Sequence, residues 1–187
     1  MTPNKLSTMT VKVGLRMILN HLMCLIVSLS VLIILPNIYG ALIAQACNLG
    51  ILLVMSYTYV WHIGDDDRNK FNYGHIKRDL NRGLKAGLMG YSPFLLTALG
   101  LLLCKGGVLP ADFIKYYRMI MSPFMPFNQV IMPTTLTVAE QSWGAVILSA
   151  LTALIVPIAL WIAYRLGFNR ISFTDTFFYS KKRGNDQ

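Results

Sequence analysis

The sequence predicts an all-α integral membrane protein, a four-helix transmembrane bundle with a short interfacial helix in its outer loop. Three observations carry this. Four stretches are apolar over roughly 20 residues, the length that crosses ~30 Å of hydrocarbon at 1.5 Å rise per residue. The chain is 55% hydrophobic and only 13% charged, about half the charged share of a soluble domain. Nearly all the lysines and arginines fall on one side of the four stretches. At 187 residues the chain makes a single polytopic unit.

The first span runs from about 15 to 35 and stops at Pro36–Asn37. Ala44–Gln45–Ala46 resembles a signal-cleavage site, but it falls inside the second apolar run. The preceding apolar core also exceeds the usual ~7–15 residues, so a retained helix is expected. The second span runs from about 41 to 63, with Gly64 closing it as a C′ residue and Asp65–Asp66–Asp67 in the loop beyond. The short link between these spans forces an antiparallel hairpin.

The third span covers about 84–104, is bent at Pro93, and stops at Lys105–Gly106–Gly107. On its cytosolic side His75–Leu80 extends the helix, and Asp79 can pair with Arg82 at i, i+3. The outer segment, 105–137, carries Asp112, Lys115 and Arg118 three apart, one polar strip on an otherwise apolar stretch. That pattern predicts an interfacial helix over 111–121, with the Pro-rich run 122–127 non-helical. Thr137 and Glu140 fit a capping box opening the fourth span, about 138–164, in which Pro157 introduces a bend. The tail, 165–187, follows.

Fourteen basic residues lie before the first span, between the second and third, or after the fourth; Lys105, Lys115 and Arg118 lie on the other side. The positive-inside rule then places the chain in the cell membrane with both termini cytoplasmic. Trp61 and Trp161 fall near the inner interface and Trp143 near the outer one, where amphipathic rings sit.

Helices in lipid meet through small and polar residues. His21 with Cys24 and Ser28, then Gln45, Asn48 and Ser56, then Gly83, Gly87 and Gly90, then Ser149 each line one face of a span. These are the candidate helix-packing residues, and Gln45 with Asn48 the candidate lining of a solute path. Packing is favoured, because no span core holds an Asp, Glu, Lys or Arg. His21, five residues past Arg16, is read as lying near the headgroups.

Arg78, Arg82, Lys181, Lys182 and Arg183 are the candidate contacts to an anionic inner leaflet. Phe113, Tyr117, Met121, Phe124 and Phe127 are read as an apolar outer surface for a partner. The net charge of +9 sits beside apolar spans, which points to lipid and away from nucleic acid.

Asp65, Asp67 and Asn69 are the candidate metal ligands. As a calcium loop they fail, with Lys70 at the sixth place and Ile76 at the twelfth. The Asp-Asp-x-x-Asp pattern of membrane prenyltransferases fails too, since Asn69 stands where its last Asp belongs. No catalytic residue and no cofactor is expected. Cys24, Cys47 and Cys104 match no zinc spacing and make no disulfide framework. The function expected is a non-enzymatic accessory or interaction subunit, bound to a membrane-protein partner or to another copy. The alternatives are a small-solute transporter and a lipid-modifying enzyme using Asp65–Asp67.

Overall fold

The structure, a computed structural model, describes residues 6–171, and these contain helices and turns but no strand. Eight α-helices follow in order: α1 (Leu6–Ile34), α2 (Ile38–Leu52), α3 (Thr58–Asn72), α4 (Arg82–Gly90), α5 (Ser92–Lys105), α6 (Phe113–Ile120), α7 (Met125–Ile131) and α8 (Trp143–Phe168). A π-turn at Leu53–Tyr57 fuses α2 and α3 into one 35-residue rod. Three helices, α1, the α2–α3 rod and α8, are long and apolar enough to cross a membrane; α4 with α5, bent by 61°, makes a fourth.

α1 starts well before the predicted span, because its buried stripe begins at Met9 and continues through Val13 and Met17. Arg16 is accommodated on the helix by stacking 3.9 Å over the Tyr59 ring and donating to the Met55 carbonyl. The turn to α2 is where Pro36 predicts it, and Asn37 caps α2 by accepting the Gly40 N–H at 3.0 Å.

The second rod does not end at Gly64. It runs on through the three aspartates to Asn72, and Gly64 is buried where α3 crosses α8. A Cβ there would lie 2.3 Å from the Tyr164 carbonyl oxygen, and one at Gly167 would lie 2.0 Å from that of Trp61. The residue that ends the rod is Gly74, at φ 74°. The amide of His75 returns to the Lys70 carbonyl and that of Gly74 to Phe71, a Schellman closure. Gly107 closes α5 in the same way.

The π-turn explains the rod's single buried face. Asn48, Leu52, Ser56 and Val60 are all buried at a constant spacing of four, which in a pure α-helix drifts about 40° per step. The wider turn takes that drift back.

Two further expectations give way. Residues 75–80 are not helical and α4 begins at Arg82; Asp79 instead accepts from Lys85 at 2.9 Å and from the Asn81 amide. The Lys85 ammonium holds the Asp79 carboxyl below its usual range. Half of the Thr137–Glu140 box forms: the Glu140 carboxylate accepts from the Thr137 amide at 2.8 Å and from its hydroxyl at 2.9 Å, which lowers the Glu140 carboxyl, while the Glu140 amide goes to the Thr137 carbonyl. It closes a turn, however, and α8 starts later, capped by Ser142 on the Ala145 amide. Pro157 lies inside an unbroken α8. Pro93 falls in the first turn of α5, immediately after the bend at Tyr91.

The basic residues of α1, the α3–α4 turn and the end of α8 share one end of the bundle, here called the basic end. α4 packs on α8 through Gly83 and Gly87 and on α1 where Gly90 meets Gly14; a Cβ at Gly83 would sit 2.4 Å from that of Tyr164. Small residues thus set three backbone-close crossings, as membrane helices require.

Candidate functional site

The largest departure from the sequence reading is the segment after α5. It does not lie across the end of the bundle. α6, a 3₁₀ turn at Ser122–Phe124 and α7 form a re-entrant wedge that reaches the middle of α1. Ser122 donates to the His21 carbonyl at 2.6 Å, halfway along that 29-residue helix. The helical turns of 122–131 overturn the expected non-helical run. Pro123 and Pro126 each stand in the first turn of a short helix, where a missing N–H costs nothing.

Asn48 donates to Ser28 Oγ at 2.8 Å and to the Ser122 carbonyl at 3.2 Å. Gln45 donates to the Pro123 carbonyl at 3.0 Å and accepts from the Phe127 amide at 3.3 Å. The residues read as a possible path therefore bind backbone groups at the ends of the wedge's short helical turns. Short helices leave terminal backbone groups unbonded, and buried ones need such partners.

His21 is not near a headgroup. It is buried at the centre, stacked 3.8 Å from Phe94, with Nε2 3.2 Å from the Tyr91 hydroxyl and Nδ1 2.7 Å from the Met17 carbonyl. The break between α4 and α5 delivers Tyr91 and Phe94 to it. Beside it Asn20 donates to Ser56, and on the far side Tyr117 donates to the Ser149 carbonyl at 2.8 Å. Asn128 completes this side, donating to the Tyr117 hydroxyl at 3.5 Å. Three amide oxygens in this interior, on Asn20, Asn48 and Asn128, are buried without a donor.

The proposed outer partner surface is mostly inside. Tyr117, Met121 and Phe124 are buried and Phe113 is half-buried against Gly100, leaving Phe127 exposed. Their apolar character serves the wedge's contact with α1, α2, α5 and α8. The polar strip does face out, with Lys115 on Asp112 at 2.7 Å and Arg118 on the Met132 carbonyl at 3.0 Å.

At the basic end the acidic cluster lies on α3, not in a solvated loop. Successive residues on a helix are about 100° apart, so Asp67 faces inward while Asp65 and Asn69 share another face. Asp67 accepts from Arg82 at 2.7 Å and from the Tyr164 hydroxyl at 3.0 Å, with Lys70 at 3.8 Å. Asp65 and Asn69 both bind Arg170, whose left-handed φ of 56° closes α8. The three candidate metal ligands are thus divided between two faces and engaged by basic side chains. Among the described residues no group of three His, Cys, Asp or Glu side chains is placed to hold a metal.

Arg82 belongs to this buried pair. Arg78 lies on the rim of a cleft with Trp161 and Arg165. Lys181, Lys182 and Arg183 lie outside the described residues. Sequence reasoning missed Tyr91, Ser122, Asn128 and Tyr164 as interior polar groups; Pro93 and Pro123, marking irregular backbone beside two of them, were the available pointers. No protein-family model matches this chain, and no curated protein or solved structure is similar to it.

Proposed function

We propose that the chain is a four-pass protein of the cell membrane, both ends in the cytosol, working as a non-catalytic subunit of a membrane assembly. The observation that carries this is an open apolar groove of about 300 Å³ between α5 and α8. Ala98, Ala150 and Ala153 form its floor, and Leu102, Leu151 and Leu154 its walls. Small residues flanked by leucine ridges suit the close approach of another apolar helix. The interior polar side chains meanwhile bond mainly to one another and to the wedge, which fits a structural role.

Purification in mild detergent should therefore bring down a stoichiometric membrane-protein partner or a second copy. Ala150→Leu, which fills the groove, should release it while α-helical content is unchanged. A monodisperse monomer with nothing bound, or a partner indifferent to Ala150→Leu, would overturn the proposal.

A second reading, a small-solute pathway, is favoured by one observation. A broken helix, a π-turn and a re-entrant segment converge at mid-depth on three amide oxygens that lack donors. Transporters place solute sites at such discontinuities. That reading takes over if the chain proves monomeric. The lipid-modifying alternative draws no support from a cluster in which Asp65 and Asp67 diverge and are each already paired.

A further inference from the structure

We propose that the cleft between the α3–α4 turn and the last turns of α8 binds the phosphate of an anionic phospholipid. The cleft holds about 480 Å³, and its polar lining is Arg78, Trp161, Arg165 and Asn169. Four basic groups at this end are neutralised by carboxylates. Arg82 and Lys70 serve Asp67, Arg170 serves Asp65, and Lys85 serves Asp79. Among the described residues at this end Arg78 and Arg165 make no such pair, nor do Lys12, Arg16, Arg68 and Lys77, but of these six only Arg78 and Arg165 line the cleft. Each is held only by its face, Arg165 at 4.6 Å over the Trp161 ring and Arg78 at 5.9 Å over Phe168.

Stacking leaves the N–H edges of both guanidiniums unspent, and those edges match phosphate oxygens in pairs. Trp161 Nε1, a donor that can never accept, is buried there without an acceptor. An incoming phosphate would neutralise both guanidiniums and, once the covered indole N–H turns into the cleft, supply its missing acceptor.

The apolar part of the lining selects a lipid over a free ion. Leu80, Ile162 and Leu166 complete the cleft. From Ile162 an exposed stripe of Ile158, Ile155, Leu151 and Leu148 descends α8, each residue 41–51% exposed. A headgroup seated on the arginines would lay an acyl chain along that stripe. Basic pockets between spans on the cytosolic side bind acidic headgroups by this chemistry. The inference rests on the membrane placement proposed above and not on the presence of a partner protein.

The test is native mass spectrometry of the delipidated full chain in detergent, with phosphatidic acid, phosphatidylglycerol or phosphatidylcholine added. The anionic lipids should be retained in preference to the zwitterionic one. Arg78→Gln and Arg165→Gln should each lower that preference about fivefold, and the double variant further than either, though not by the product, because the two share one phosphate. Lys115→Gln, at the opposite end, should leave it unchanged. Equal retention of all three lipids, or an undiminished preference in the double variant, overturns the proposal. So does inorganic phosphate that binds as tightly as the lipid and displaces it, which would make this a free-anion site. If the double variant fails to fold, Trp161→Phe decides: it keeps the ring under Arg165 and removes the N–H. A several-fold loss of anionic preference supports the site, and no loss rejects it. Because the readout uses the isolated chain, failure here leaves the subunit reading standing, and loss of a partner leaves this one standing.

Discussion

Asp67 accepts two hydrogen bonds, from Arg82 and Tyr164, inside a shell that leaves its side chain 1% exposed. Removing one member of a buried pair strands the other charge, which costs about 3–5 kcal/mol. Asp65 bonds Arg170 at 2.8 Å, but both side chains are substantially exposed, and such pairs are worth about 0–1 kcal/mol. Asp67→Ala should therefore lower stability sharply, while Asp65→Ala should be close to neutral, measured by denaturant-induced unfolding in detergent micelles. Equal effects would mean that the two neighbours share an environment, as a solvated loop would give them. The sequence marked this triplet as chemically unusual but could not separate its members, because a loop has no inside face and a helix does. The same limit held in the centre. Polar residues in apolar runs must find partners, so Asn48, Ser56 and Ser149 were legible as interior groups. Their partners, Ser122 for Asn48, Asn20 for Ser56 and Tyr117 for Ser149, lie far along the chain and carry no periodic mark that would reveal them.

At the scale of elements, glycine decided which helix contacts and helix ends were legible. Gly83, Gly87 and Gly90 share a helical face, and that spacing identified the α4 contact surface. Gly64 and Gly74 are both followed by polar residues, and local sequence does not say which one ends a helix. The choice is made by α8: Gly64 is needed for a backbone crossing with Gly167, and Gly74 alone adopts the left-handed turn. A methyl group at Gly167 would meet the Trp61 carbonyl at 2.0 Å, and backbone cannot yield as a side-chain tip can. Gly167→Ala should force α3 and α8 apart and cost about 1–3 kcal/mol. Gly50 provides the control: a methyl group there would have nothing within 4 Å, and Ala is the better helix former. Thermal unfolding by circular dichroism should show Gly167→Ala well below the wild type and Gly50→Ala at or above it. Matching losses would remove the crossing from the account of how these helices meet.

For the whole molecule, the decisive question is whether the wedge crosses the bilayer, since one extra pass would reverse the far terminus. α6 has eight residues and α7 seven, so at 1.5 Å per residue each is only about 10–12 Å long. Neither spans ~30 Å of hydrocarbon. Between them the chain turns at Ser122–Phe124, where Ser122 is held at the depth of His21. In the four-pass arrangement proposed above, the segment enters and leaves by the same face, and α1, the α2–α3 rod, α4–α5 and α8 are the four crossings. Charge counting is blind to the wedge, because Lys115 and Arg118 fall on the sparsely charged side whether or not the segment folds inward. It could not show that residues 113–131 plunge inward: their apolar composition suits a surface helix and an interior one equally. Single cysteines in a chain lacking Cys24, Cys47 and Cys104 can test the consequence at four exposed sites. Val108→Cys and Thr135→Cys should react with a membrane-impermeant maleimide in intact cells. Tyr73→Cys and Ile171→Cys should react only after permeabilisation. Labelling of Val108 and Thr135 from opposite sides would turn the wedge into a fifth crossing. It would also place Arg165 at the end of α8 on the face opposite Arg78, which shares its turn with Tyr73, and the lipid site would come apart.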